Sequence, residues 1–160
     1  MIDFIGEATP DSLMYLITDM FETVTFYDNR ILNVASSQLN DGRYKTDIEF
    51  VISKHRVNEN GIIVYGDNPG EAAAYTSAET GDQISSLPLK DYIEISILSG
   101  EKNSGVQGEN LIYTEKRRIG QIHNIISVIT DKIPYEVVID PFITLIDINI
   151  KDNAYKLIQR

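Results

Sequence analysis

The sequence predicts a mainly β domain, an immunoglobulin-like antiparallel β-sandwich with one N-terminal helix. Three observations predict this fold: one helical period near the N-terminus, apolar–polar alternation in later segments, and turn residues between those segments. With 160 residues, 42% hydrophobic and 24% charged, the chain has the size and composition of one globular domain. We therefore divide it into an N-terminal helical segment, residues 1–22, and a β-sandwich domain, residues 23–160.

The helix is predicted over residues 10–22. Thr9 suits the N-cap position and Pro10 suits the first helical position. Apolar residues then recur at spacings of three and four, so they share one face of the helix. These residues are Leu13, Leu16, Ile17, Met20 and Phe21. We expect this face to dock on the sandwich or on another domain, since its polar side carries carboxylates rather than the Lys and Arg of a membrane anchor.

The strands are predicted from a change to a period of two. Residues 23–27 and 31–39 form two extended runs separated by the turn residues Asp28 and Asn29, and the sequence NDG at 40–42 is typical of a hairpin. Between residues 44 and 53 apolar and polar side chains alternate, which predicts one buried and one solvated face. Further extended segments are predicted at residues 89–98, 111–119, 122–130, 135–139 and 142–150.

Residues 58–86 are predicted to be a long loop insertion, with one short strand at 62–65. They are rich in Gly, Asn, Asp, Ser and Thr. Loops of this length are functional or are tolerated insertions, and the sequence leaves both open. A second polar, Gly-rich loop is predicted at residues 99–110.

Composition and motifs exclude several classes of function. The formal charge of −10 argues against a nucleic-acid-binding protein, and no apolar run approaches the roughly 20 residues that cross a bilayer. The chain has no Cys, and its two histidines, His55 and His123, lie among strand-forming residues outside any HExxH motif. No nucleophile elbow or phosphate-binding loop is present. We therefore expect this chain to have no catalytic residues, no cofactor and no metal.

Calcium is the one metal with a candidate position. Asp147, Asn149 and Asp152 supply the oxygen ligands that calcium prefers. An EF-hand loop, however, requires Gly and Glu where Asp152 and Ile158 stand. Turn hydrogen bonds from the Asp side chains are the alternative interpretation.

The end of the chain carries a more specific pattern. It consists of Asp140, Pro141, Phe142, Leu145, Ile146 and Asp147, followed by Asp152 and Asn153. This pattern resembles the closing motif of a bacterial family that fuses an ABC-type permease to an aminopeptidase-N-like zinc peptidase. Further similarities occur in the same order along the chain: residues 16–23, 27–30, 41–44, 54, 89–95, 112–113 and 116–119.

Two positions depart from the family's closing motif. Phe142 stands where the family usually has Tyr, and Ile148 stands where it usually has Arg. A hydroxyl contact and an ion pair available to the family are therefore absent here.

The resemblance implies that this chain is a C-terminal accessory domain of a larger protein. The parent's membrane spans and its HExxH-bearing peptidase domain would lie N-terminal to Met1, and that peptidase domain would be the partner. The closing-motif residues would then belong to the interface. The domain itself would be a soluble part of a membrane-associated parent, non-catalytic and without a membrane insertion of its own.

A second interpretation comes from a different class of protein. The chain is then a free-standing carbohydrate- or peptide-binding β-sandwich. Such modules present exposed aromatic side chains, and Tyr65, Tyr75 and Tyr92 are the candidates.

Overall fold

The computed structural model describes residues 2–57, 60–64, 73–77, 81–100 and 110–157. Its helical elements are α1 (Ile2–Ala8), a 3₁₀ turn (Asp11–Leu13), α2 (Met14–Ile17) and a π turn (Thr18–Glu22). Its strands are β1 (Val24–Gln38), β2 (Tyr44–Val57), β3 (Ile63–Val64), β4 (Ala73–Thr76), β5 (Gln83–Ser86), β6 (Tyr92–Leu98), β7 (Leu111–Arg118), β8 (His123–Thr130), β9 (Glu136–Ile139) and β10 (Ala154–Lys156).

Within these residues the strands form two four-stranded antiparallel sheets and one small hairpin. Sheet 1 has β2 at its centre, paired with β1 on one side and with β8 and β3 on the other. Sheet 2 has the order β10-β9-β6-β7, and β4 pairs with β5 alone. The predicted mainly β, antiparallel, sandwich-like fold with a short N-terminal helical segment is confirmed.

One apolar cluster lies between the two sheets. Sheet 1 contributes Ile48, Phe50 and Ile52, and sheet 2 contributes residues such as Ile95 and Ile97, all of them fully buried. Burying one such side chain stabilises the fold by roughly 1.5–3 kcal/mol. The alternation predicted for residues 44–53 holds as far as Phe50, and its apolar side is the face that closes the sandwich. The solvated face predicted at residues 51–53 is wrong, because Val51 and Ser53 are fully buried and Tyr75 and Ile84 pack against the cluster that contains Val51.

The hairpin between β1 and β2 is confirmed. Gly42 has φ +89° and donates its N–H to Leu39 O at 3.0 Å, while Leu39 N donates to Arg43 O at 2.7 Å. A positive φ is available to Gly without steric cost, so the turn forms where the sequence predicts it.

The N-terminal segment differs from the single helix predicted over residues 10–22. Thr9 is not an N-cap: its hydroxyl donates to Ile5 O at 2.6 Å, at the end of α1. Pro10 precedes the 3₁₀ turn, and no side chain caps it. At the other end, the N–H and hydroxyl of Thr23 both bond to Thr18 O, which widens the last turn into a π turn.

The turn predicted at Asp28 and Asn29 is wrong. β1 passes straight through both residues, which pair with Ser53 and Ile52 of β2. Continuous pairing along β2 outweighs the local turn preference of Asp and Asn, because tertiary context overrides a weak propensity.

The prediction of a loop at residues 58–86 is also wrong in part. β3 lies within the short strand predicted at 62–65, but β4 and β5 also lie in this range and form an antiparallel hairpin with four residue pairs. Tyr65 and most of the second predicted loop, 99–110, lie outside the described residues.

Residues 142–150 form a loop rather than the extended segment predicted there. Asp147 alone bridges to β1, opposite Tyr27. The strand that follows is β10, which pairs with β9.

Candidate functional site

The inner face of sheet 1 changes from apolar to polar along the β1–β2 pair. Side chains alternate between the two faces of a strand, so Lys54 and Arg56 of β2 share the inner face with Ile52. The cross-strand pairs on this face, from the core outward, are Ile31–Phe50, Asn29–Ile52, Tyr27–Lys54 and Thr25–Arg56. The polar end of this face is where a charged cluster forms.

Lys54 lies at the centre of that cluster. Its side chain is only 3% exposed, and its Nζ lies 2.6 Å from Asp19 Oδ2 and 3.2 Å from Asp91 Oδ2. Arg56 binds the other oxygen of Asp19 through Nη2 at 2.7 Å and Nε at 3.2 Å. Two cations thus face two buried carboxylates, and their charges balance. A buried charge is stable only with such partners.

Two tyrosines complete the cluster. Tyr27 Oη donates to Asp91 Oδ1 at 2.9 Å, and burial together with the Asp91 charge raises the pKa of Tyr27 far above its ordinary value. The ring of Tyr15 lies under Lys54 Nζ, 5.1 Å from the ring centroid. Burial, followed by the charge of Asp91, also raises the pKa of Tyr15. Both phenols therefore remain neutral near pH 7.

The cluster fixes the N-terminal segment to the sandwich. Asp19 comes from the π turn, Asp91 from the residue before β6, and Lys54 from β2. Three separate parts of the chain are thereby joined at one point. Ile17 of the same segment is buried, at 7% exposed.

An open cavity of about 670 Å³ lies above the cluster. Asp19, Tyr27 and Asp91 form its polar floor. Its walls are mostly apolar and come from the helical segment, the start of β1, Tyr92 and the loop after Asp140. The exposed apolar side chains at its rim are Leu13 (38%), Met20 (69%), Val24 (60%), Tyr92 (58%) and Ile146 (71%).

Asp140 shapes the loop that forms one wall. Its Oδ1 accepts hydrogen bonds from the Thr144 N–H at 3.0 Å and hydroxyl at 2.6 Å, and its Oδ2 accepts from Leu145 N at 2.9 Å. Asp140 has φ +47° and Ile143 has φ +55°. A left-handed conformation is unfavourable for a β-branched residue, so the bonds to Asp140 hold Ile143 in a strained conformation.

The same loop covers the free edge of β1 at residues 27–31. Asp147 acts as an acceptor for the strand: its Oδ2 takes the Asn29 N–H at 3.1 Å and Asn153 Nδ2 at 3.1 Å, and its Oδ1 takes Asn149 N at 2.8 Å. Three of the edge N–H groups of β1 thus find acceptors in the loop: Tyr27 on Ile146 O (2.8 Å), Asn29 on Asp147, and Ile31 on Asp152 O (2.9 Å).

These contacts bear on the calcium position considered above. Both carboxylate oxygens of Asp147 accept N–H groups, and Asp152 Oδ2 accepts from Asn149 Nδ2 at 2.8 Å. Burial raises the pKa of Asp152, with the charges of Asp28 and Asp147 adding to it. Among the described residues, no three His, Cys, Asp or Glu side chains are arranged to hold a metal ion.

The structure brings together two groups of residues that lie far apart in sequence. Of the predicted docking face, Leu13, Leu16 and Met20 line the cavity, and of the closing motif, Leu145 and Ile146 do. Ile17 is buried, and Phe21 and Phe142, each 49% exposed, are not among the lining residues. Pro141 and Asn153 are buried, and Asp140, Asp147 and Asp152 have the loop roles given above.

The charged cluster was not predicted as a site. Lys54 continues the even-numbered inward phase of Ile48, Phe50 and Ile52, and this phase was the signal that could have found it. Asp19 and Asp91 offered no comparable pattern, since neither lies in a strand.

Of the three tyrosines of the alternative interpretation, the two that the structure describes lie in different places. Tyr92 lines the cavity, whereas Tyr75 stacks on His123 with ring centroids 4.8 Å apart. Tyr65 lies outside the described residues.

The two histidines lie on the outer face of sheet 1. His55 is buried, stacks on Phe26 and bonds Ser53 Oγ at 3.0 Å, and burial lowers its pKa. His123 Nε2 lies 2.7 Å from Glu49 Oε1. Both histidines are engaged in hydrogen bonds and stacking.

Comparison of the chain with protein-family models, with curated proteins and with solved structures finds no match. Of the described helices, none combines the length and apolar character needed to cross a membrane.

Proposed function

We propose that this chain is a non-catalytic accessory domain that packs, through the rim of its cavity, on the peptidase domain of a membrane-bound permease–aminopeptidase fusion protein. The observation that carries the proposal is the exposed apolar rim above a charge-balanced floor. Contiguous exposed apolar surface is typical of a protein–protein contact, whose centre is apolar and depleted of charge.

The resemblance supports this choice of partner. Four segments that carry it, residues 16–23, 27–30, 89–95 and 140–147, each supply residues to the same cavity. Segments separated by up to about 120 residues in sequence therefore meet at one surface. A shared contact is a physical reason for a pattern spread over the chain in this way.

The chemistry of the floor supports a non-catalytic role. Asp19, Asp91 and Lys54 are less than 10% exposed and bind one another. A general acid or base must be free to exchange a proton with its substrate, whereas Asp19 and Asp91 on the cavity floor have their charges neutralised by Lys54. The floor fixes the helical segment, and the rim supplies the contact.

The proposal is tested by binding. The chain is mixed with the HExxH-bearing domain encoded in the same reading frame, and the affinity is measured by isothermal titration calorimetry. Met20→Asp and Ile146→Asp should each weaken binding about tenfold or more, because they put a charge into an apolar contact. Ile133→Asp, in the turn after β8 and 43% exposed, is the matched control and should leave binding unchanged.

Two results would overturn the proposal. One is a reading frame without membrane spans and an HExxH motif upstream of this chain. The other is zinc-dependent aminopeptidase turnover by the isolated chain. Saturable glycan or peptide binding that Tyr92→Ala abolishes, without binding to the peptidase domain, would instead favour a free-standing binding module.

A further inference from the structure

The long edge strands of the two sheets are protected unequally. The edge of β1 is covered by the loop at 146–152 over residues 27–31. The edge strand β7 carries four consecutive charged residues, 115–118, which oppose pairing with another strand. β8 pairs with β2 alone, and in the part of the chain that the structure describes nothing covers its second edge.

The direction of the free backbone groups follows from the register. Ile52 N donates to Ile122 O at 2.8 Å, next to the pairing of Val51 with His123. Along an antiparallel strand the backbone groups of successive residues point to opposite sides. The N–H and C=O groups of the even-numbered residues of β8 therefore point toward β2. The N–H and C=O groups of Ile125, Ser127 and Ile129 consequently point away from the sheet.

The side chains of β8 favour pairing rather than oppose it. Its eight residues, HNIISVIT, contain no Lys, Arg, Asp, Glu, Pro or Gly. Ile125 and Ile129 are 66% and 50% exposed on the outer face, and Ser127 between them is also exposed. An uncharged, apolar and open edge of this kind is a template for a further strand.

We propose that this edge pairs with β8 of a second copy of the same chain, forming a two-fold symmetric dimer. The reason is the symmetry of the strand about Ser127. In an antiparallel pairing centred on that residue, Ile125 of one copy lies opposite Ile129 of the other, and Ile126 lies opposite Val128. Each copy carries a net charge of −10, but the pairing segment at residues 125–129 carries no acidic or basic side chain and so brings no like charges together.

This inference is independent of the proposed function. It uses a different edge and different residues from the cavity rim. The pairing occupies the β8 edge of both copies, so this contact closes after two chains of 18.0 kDa each.

The test introduces charged residues at positions 125 and 129, which lie opposite each other only in the proposed register. Sedimentation velocity over a hundredfold range of concentration should show a monomer–dimer equilibrium for the chain. Ile125→Lys with Ile129→Lys places Lys opposite Lys twice and should raise the dimer dissociation constant about tenfold. Ile125→Lys with Ile129→Glu places Lys opposite Glu and should return it to within about threefold of the original.

A matched control separates the effect of added net charge from the effect on strand pairing. Val24→Lys with Tyr92→Lys adds the same two charges at similarly exposed positions of the cavity rim and should leave dimerisation unchanged. Circular dichroism checks that all variants fold, which is expected since every changed side chain is at least half exposed.

Several outcomes would overturn the dimer. A monomer at every concentration excludes it, and assemblies larger than two exclude its closed symmetry. Equal weakening by the control points to the cavity rim as the contact. Failure of the Lys–Glu variant to restore the dimer excludes the proposed register.

Discussion

The two ends of the β1–β2 pair close the same inner face by different means. At one end Ile48, Phe50 and Ile52 are fully buried in an apolar cluster. A few residues along the same strand, Lys54 is almost as buried but bonded to Asp19 and Asp91. The stability of the apolar end depends on how completely the side chains fill the core, and neighbouring side chains contribute to this together. The stability of the polar end depends on every ion-pair partner being present.

Lys54→Met should cause the largest loss of stability, because Lys54 is the central residue of the polar end. It leaves Asp19 and Asp91 buried without their shared cation, and removal of one partner of a buried pair costs about 3–5 kcal/mol. Urea denaturation of the purified variant measures this loss of unfolding free energy.

Two control variants give the losses of unfolding free energy with which the Lys54→Met value is compared. Lys45→Met removes an ion pair with Asp47 that is about 40% exposed on both sides, and it should cost less than about 1 kcal/mol. Ile52→Val, two residues from Lys54 on the same face, should cost about 0.5–1.5 kcal/mol. A loss for Lys54→Met no larger than these would contradict the structural role of the cluster.

Tyr27→Phe should have an intermediate effect. It keeps the ring but removes the hydroxyl that donates to Asp91 at 2.9 Å. A hydrogen bond to a charged group contributes about 1.5–3 kcal/mol. Thermal and urea unfolding should show that loss, and Tyr92→Phe, whose ring is 58% exposed, should show almost none. Equal stability of the two variants would exclude a stabilising Tyr27–Asp91 bond.

The smallest predicted effect on stability concerns His55, which lies on the outer face of sheet 1. Burial lowers its pKa below the ordinary 6.5, so the unfolded chain takes up a proton first as the pH falls. Its contribution to stability is therefore fully present above about pH 6.5 and is lost as the pH falls toward the folded-state pKa. The difference in unfolding free energy between the chain and His55→Gln, measured from pH 7.5 to 5, should shrink with decreasing pH. A constant or growing difference would contradict the shift.

Much of the fold was predictable because its signals are local. The alternation from residue 44 onward, the hairpin at Gly42 and the strands at β6 to β9 follow from side-chain period and turn chemistry. One failure has a tertiary cause. Asp28 and Asn29 have turn propensity but lie in a strand, since β2 pairs with both of them along a continuous ladder.

The candidate site was predictable only in pieces. The apolar stripe of the helical segment and the closing motif are each visible in the sequence. That Met20 and Ile146 line one cavity is not visible, because about 125 residues separate them. Nor does the sequence indicate that Asp147 serves as a hydrogen-bond acceptor for β1.

By itself, the sequence determined the class of fold, the phase of the buried faces and the absence of Cys and of an HExxH motif. Only the tertiary structure decided which charges are buried together, which apolar residues remain exposed and which edge stays open. The physical reason is the sequence separation over which each effect acts. Side-chain period and turn chemistry act over a few residues, whereas burial and ion pairing depend on segments that meet only when the chain has folded.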